Sequence, residues 1–120
     1  MKWLPDVTPD KYGDAWNYLT LRLDNPRAGK AVSQLRNAEI IQRKARDILR
    51  ACRYTPLTAQ DPGIIHITAN PKPRSPVLMV SYDTGADIAD GYHRVNAAYL
   101  EDPEQDIPLK IVPAQEMTAP

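Results

Sequence analysis

Between Lys30 and Arg53 the apolar positions Val32, Leu35, Ala38, Ile41, Ala45, Ile48, Leu49 and Cys52 recur at steps of three and four. That spacing predicts one amphipathic helix across the whole stretch. Glu39 and Arg43 would then pair at i, i+4, and Arg36, Arg43 and Arg50, seven apart, would form one stripe. Upstream, Leu19, Leu21 and Leu23 alternate with Thr20 and Arg22, which favours a half-buried strand inside a Pro- and Gly-punctuated stretch that is otherwise ambiguous between strand and helix. The run Ile64-Ile65-His66-Ile67 is short enough for either a strand or a helical turn.

Val77 to Tyr82 is apolar and β-branched, and Asp83-Thr84-Gly85 supplies turn chemistry behind it. A hairpin should return the chain through Ala86 to Asp90. Gly91 then opens a short helix from Tyr92 to about Leu100, an acidic turn follows at residues 101–106, and Ile107 to Val112 forms a last strand. Pro108 places that strand at a sheet edge. The expected fold class is a small α+β domain, a mixed β-sheet of about four strands with packed helices. Residues 1–29 read as an N-terminal extension packed on the domain, 30–113 as the domain, and 114–120 as a frayed tail.

Composition narrows the picture. One hundred and twenty residues, 42% apolar and 25% charged, fit a single globular unit, and twelve prolines punctuate it heavily. Without phenylalanine, the core must come from aliphatic residues, six Tyr and two Trp. The single cysteine, Cys52, gives no intramolecular disulfide and reads as a small core residue, and no run approaches a transmembrane span. The expectation is a cytoplasmic protein with no membrane partner.

Fifteen basic and fifteen acidic residues cancel, which argues against a strong non-specific nucleic-acid binder. Their distribution is uneven, with eleven Lys/Arg against six Asp/Glu in residues 1–60 and four against nine in residues 61–120. The basic segment 27–53 has three readings: a solvated helix face, a counterface for the acidic 101–106 turn, or a nucleic-acid contact through Arg43, Arg46 and Arg50.

Chemistry concentrates in Asp90-Gly91-Tyr92-His93-Arg94. A strand passing through Asp-Gly into a helix leaves backbone N–H groups exposed at the helix start, where an anion is welcome. His93 and Arg94 in that first turn oppose the helix dipole, and a bound phosphate would reverse the conflict. Arg94 could fork onto phosphate oxygens. Asp90 has three candidate roles: capping the helix, orienting His93 or holding a metal ion. Asp87, Asp90 and His93 lie three apart but cross a strand-to-helix turn, so no protein metal site is expected. Mg²⁺ would arrive with a nucleotide.

Asp90-Gly91-Tyr92-His93-Arg94 and the small residues after it lie between an Ile-containing strand and Ile107-Pro108-Leu109-Lys110-Ile111-Val112. This arrangement resembles the ParB/sulfiredoxin-like superfamily, whose members keep a Gly-x-x-Arg helix start at their nucleotide site. The wider pattern, from Asp47-Ile48-Leu49-Arg50-Ala51 through Ser75 to Val80 and on to Ile107-Pro108, is similar to small bacterial and phage proteins of that superfamily. The resemblance covers residues 30–112. It implies a ParB/sulfiredoxin-like fold and a nucleotide ligand (ATP, ADP or CTP, with Mg²⁺) bound by Gly91 and Arg94. Tyr92 joins them at the site as a rim packing residue rather than a base-stacking platform. The resemblance also implies Asp90 and His93 as the catalytic pair, after the superfamily's branch that phosphorylates free serine.

Two departures limit it. Tyr92 stands where sulfiredoxins carry their reactive cysteine, so sulfinic-acid reduction is not supported, and the second ParB arginine motif and helix-turn-helix domain have no counterpart. The leading expectation is a phosphotransferase or nucleotide hydrolase acting on a small-molecule or protein acceptor. The alternative is a non-catalytic DNA-binding or protein-interaction accessory factor.

Overall fold

Asp24 and Asp61 each precede a proline-containing first helical turn and accept hydrogen bonds from it, Asp24 from the Arg27 amide and Asp61 from those of Gly63 and Ile64. Both are N-caps that satisfy amides the helix itself leaves unpaired. The computed structural model describes residues 1–114. Among them the helices are α1 (Asp10–Leu19), α2 (Asn25–Asn37), α3 (Ala45–Cys52), α4 (Pro62–Ala69) and α5 (Tyr92–Glu101). The strands are β1 (Ile41–Lys44), β2 (Val77–Tyr82), β3 (Gly85–Asp90) and β4 (Asp106–Pro113). The expected tail lies, from residue 115 on, outside the described residues.

The strands form one sheet in the order β1-β4-β2-β3. β4 runs antiparallel to β1 and parallel to β2, and β2 turns back on β3 through Asp83-Thr84. This is the α+β class with a small mixed sheet. Val77 to Val80 are all buried, because both faces of β2 are covered. Alternate residues divide between two cores. Leu78, Val80 and Val112 pack with α1 and α2, whereas Val77, Met79 and Leu109 pack with α3 and α5. Val7, Tyr12, Ala15, Leu19 and Leu23 belong to the first core, and α2 runs across residue 30.

Three local expectations give way to tertiary structure. The single helix over 30–53 is two helices separated by β1: Ala38 is already extended, and Ile41 to Lys44 pair with Leu109 to Asp106. The three- and four-residue period is nonetheless real on both sides. Ala31, Val32 and Leu35 are buried on α2, and Ala45, Ile48, Leu49 and Cys52 on α3. What dissolves is the continuity. Arg36, Arg43 and Arg50 sit on three different elements, and Arg43 donates to the Gln42 carbonyl rather than pairing with Glu39.

The alternating leucines are the end of α1 and a turn, not a strand. Leu19 and Leu23 point inward and Leu21 is 84% exposed, with the Leu23 amide closing onto the Leu19 carbonyl. Pro108 sits on an interior strand instead of an edge. It is tolerated because pairing with β2 starts only at Leu109, so at Pro108 β4 is flanked by β1 alone. Ile64 to Ile67 form the body of α4, the helical option.

The acidic turn and the basic segment do meet within the molecule. Lys44 and Arg46 both pair with Glu104, and the Ala45 and Arg46 amides donate to the Gln105 and Pro103 carbonyls.

One buried polar side chain fixes α5 to the loop before α4. Asn96 is fully buried, accepts from the Leu57 amide at 2.8 Å and donates to the Tyr92 carbonyl at 2.9 Å. Asn96→Ala strands that amide, so urea denaturation should show a loss of about 2 kcal/mol in unfolding free energy.

Candidate functional site

β3 ends at Asp90, and Gly91 turns the chain into α5 at φ +112°, a conformation that L side chains rarely adopt. A Cβ at Gly91 would lie 3.0 Å from the Arg94 guanidinium and 3.0 Å from a Val77 methyl. Glycine is thus required twice, for the turn and for the approach of Arg94. Among the described residues no side chain caps α5. Of the three roles considered for Asp90, the structure shows none directly: its carboxylate accepts from Arg94 Nη2 at 2.8 Å, one helical turn on. Arg94 also reaches the Pro76 carbonyl at 3.4 Å, and its side chain is 12% exposed. Asp90 therefore holds Arg94 in place and offsets the unfavourable dipole there. The guanidinium retains donor capacity, its buried Nε having no partner among the described residues.

His93 is placed by a residue that the sequence does not connect to it. Its Nε2 lies 3.4 Å from Asp61 Oδ1, the oxygen that also caps α4. Gly63 in the first turn of α4 leaves room for this, since a Cβ there would collide with the imidazole. The Tyr92 ring stands edge-on to Tyr54 at 5.3 Å between centroids and to His93 at 5.5 Å.

Two clefts flank this segment, and Asp90 to His93 line both. The first, about 480 Å³, adds Lys11 from α1, Lys72 and Arg74 from the loop before β2, and Arg94. Four Lys/Arg side chains thus face two carboxylates, Asp10 and Asp90, over the start of α5. Lys11 lies 3.7 Å from Asp10 and 3.9 Å from Asp14. The second cleft, about 440 Å³, is aromatic, with Tyr18, Tyr54 and Tyr92 around it.

The partners of Asp87 escape sequence reasoning. Asp87 is 6% exposed and accepts from Arg22 Nε at 2.8 Å, Tyr82 OH at 3.0 Å and Tyr54 OH at 3.1 Å. A buried carboxylate needs such donors. Burial, followed by these bonds to Asp87, pushes the Tyr82 phenol up to about 12. Burial also raises Tyr54, together with the neighbouring Tyr18 and Asp87. Cys52 is buried as expected of a core residue, and burial with the nearby Asp87 charge raises its thiol to about 11.

Asp87, Asp90 and His93 turn to three different partners, and among the described residues no three His, Cys, Asp or Glu side chains converge as metal ligands. Arg43, Arg46 and Arg50 divide between β1 and α3. Arg46 is engaged by Glu104 and Asp47, while Arg50 is 82% exposed and 3.9 Å from Asp47. The cleft cations Lys11, Lys72 and Arg74 and the anchor Asp61 carry no motif in the sequence. The only local signal is Asp61-Pro62-Gly63 as a helix start. No helix among the described residues is long and apolar enough to cross a membrane. Compared with known proteins, the chain matches no family model, no curated protein and no solved structure.

Gly63→Ala should drive the His93 ring away from Asp61 while far-UV circular dichroism stays unchanged. The His93 imidazole resonances report it, and unchanged shifts would count against the contact. The raised Tyr82 phenol sets an alkaline limit: its contribution is full below its ordinary value of 10 and is lost as pH rises through about 12, where the unfolded chain sheds the proton more readily. The tyrosinate absorbance of wild type minus that of Tyr82→Phe should lag behind that of free tyrosine over this window and appear together with loss of structure.

Proposed function

We propose that this protein binds the phosphates of a nucleotide in the basic cleft over the start of α5 and acts on them by phosphoryl transfer or hydrolysis. The observation that carries this reading is the gathering of Lys11, Lys72, Arg74 and Arg94 from three separate parts of the chain around one helix start. Cations brought together with too few carboxylates repel one another, and a phosphate relieves that repulsion. Backbone amides of the first turn and the guanidinium of Arg94 supply directional donors to its oxygens. The resemblance of Asp90 to Arg94 and its flanking strands to the ParB/sulfiredoxin-like superfamily supports the same ligand.

Phosphoryl transfer asks mainly for positioning and charge stabilisation, which such a cleft supplies. In this reading Arg94, held by Asp90, neutralises charge developing on the transferred group. His93, 50% exposed and oriented by Asp61, takes the proton of the attacking hydroxyl or water. Asp90 serves through Arg94 rather than as the base itself. Lys72 and Arg74 line the same cleft.

A thermal-shift series with ATP, ADP, CTP and GTP, with and without Mg²⁺, tests this. Wild type should be stabilised by at least one nucleotide, by about 2.7 kcal/mol at a hundredfold excess over Kd. Arg94→Ala should abolish the shift, but it also strands Asp90 and lowers the baseline. The exposed Lys72→Ala is therefore the cleaner variant and should lose most of it. No shift in wild type, or a shift in Lys72→Ala and Arg94→Ala as large as that of wild type, would overturn the reading. Salt-sensitive DNA binding lost on charge reversal at Arg43, Arg46 and Arg50 would favour the accessory-factor alternative.

A further inference from the structure

The aromatic cleft lies across the Asp90–His93 segment from the basic one, and the phosphate reading gives it no role. Tyr18, Tyr54, Tyr92 and His93 line it together with the buried Ile88 and Ala89. Two of its three tyrosines are tied into the fold before any ligand arrives. Tyr54 is tied through its hydroxyl to buried Asp87 at 3.1 Å, Tyr92 stands at 90° to Tyr54, and the Tyr92 carbonyl is held by Asn96. Rings immobilised in this way cost little further ordering when a flat ligand stacks among them. At about 440 Å³ the cleft falls within the roughly 300–1,000 Å³ usual for small-molecule sites.

The two clefts share Asp90, Gly91, Tyr92 and His93 as their common ridge. Gly91 puts no side chain on that ridge. A single ligand with an anionic end and a planar end, joined by a short polar linker, can cross there and occupy both clefts. A nucleotide has that chemistry: phosphates, a ribose and a base.

We infer that the cleft of Tyr18, Tyr54 and Tyr92 is the nucleobase subsite of the same nucleotide whose phosphates occupy the basic cleft, the ribose crossing at Gly91. The inference rests on the phosphate reading and adds what that reading lacks, a reason for a nucleotide in place of a simple phosphate. Stacking on an aromatic ring tolerates every base, since each has a π face. Tyr18 stands on α1, away from the Asp90–Arg94 motif, and is not part of the phosphate cleft, so it separates the two contributions.

Calorimetric titration of the whole chain with ATP, CTP and inorganic tripolyphosphate tests it on wild type, Tyr18→Ala and Tyr18→Phe. Tyr18→Ala should weaken ATP and CTP about tenfold and leave tripolyphosphate within about twofold, while Tyr18→Phe, which keeps the ring, should bind like wild type. Should Tyr18→Ala fail to fold, Tyr18→Leu, which keeps apolar bulk at the same wall and removes the ring, must give the same split. If the variant weakens all three ligands equally or none of them, while tripolyphosphate still binds wild type, the base subsite is wrong and the phosphate cleft stands. If wild type binds neither nucleotide nor tripolyphosphate, the phosphate reading falls and the subsite with it.

Discussion

The fold depends on where β4 inserts. The last strand of the chain lies between β1 and β2, antiparallel to one and parallel to the other, and so turns an isolated hairpin into a four-stranded sheet. A hairpin alone is marginal in water, and added strands with both faces covered make it independently stable. β4 also carries residues into both cores, Ile107 and Leu109 to one face and Val112 to the other. Its pairing with Ile41 to Lys44 interrupts what would otherwise continue as a helix. That same pairing brings Glu104 beside Lys44 and Arg46, so the acidic turn is neutralised at the junction of β1 and α3.

Buried charge divides the molecule into a part that is satisfied and a part that is left open. Asp87 is enclosed by Arg22, Tyr54 and Tyr82. Such a cluster is costly to break and makes the end of β3 rigid. Asp90, three residues on, spends its carboxylate on Arg94, whose guanidinium has donors to spare. The rigid cluster and the open pair lie on either side of one turn. Together they set the geometry of the Gly91 ridge, with tyrosines on one side and cations on the other.

Lys110 shows the same division in another part of the fold. Its ammonium is buried under α1 and α2, where it donates to the Tyr12 hydroxyl and the Arg36 carbonyl. Here the cation is satisfied by neutral groups, and the carbonyl end of a helix suits its charge. Lys72 and Arg74 are disposed differently. They line a cleft, and Arg74 donates to the Ile67 and Asn70 carbonyls. Position in the fold, more than the count of charges, decides which cations are structural and which are available to an anion.

By itself the sequence determined the α+β class, the β2–β3 hairpin, the Gly91 turn and the helix behind it, because each is written in local chemistry: alternation, turn residues and a glycine where φ must be positive. It also determined the buried faces of α2 and α3, since a three- and four-residue period survives a break between helices. Only the tertiary structure decided that residues 41–44 leave the helix for the sheet, because the bonds that draw them away come from a strand more than sixty residues later. It alone decided that Pro108 could lie inside the sheet and that leucine alternation at 19–23 marks a turn. In the site, the motif from Asp90 to Arg94 was legible as a unit. Its companions Asp61, Lys11, Lys72, Arg74, Tyr18 and Tyr54 were not, because side chains that meet across a fold need share no spacing along the chain.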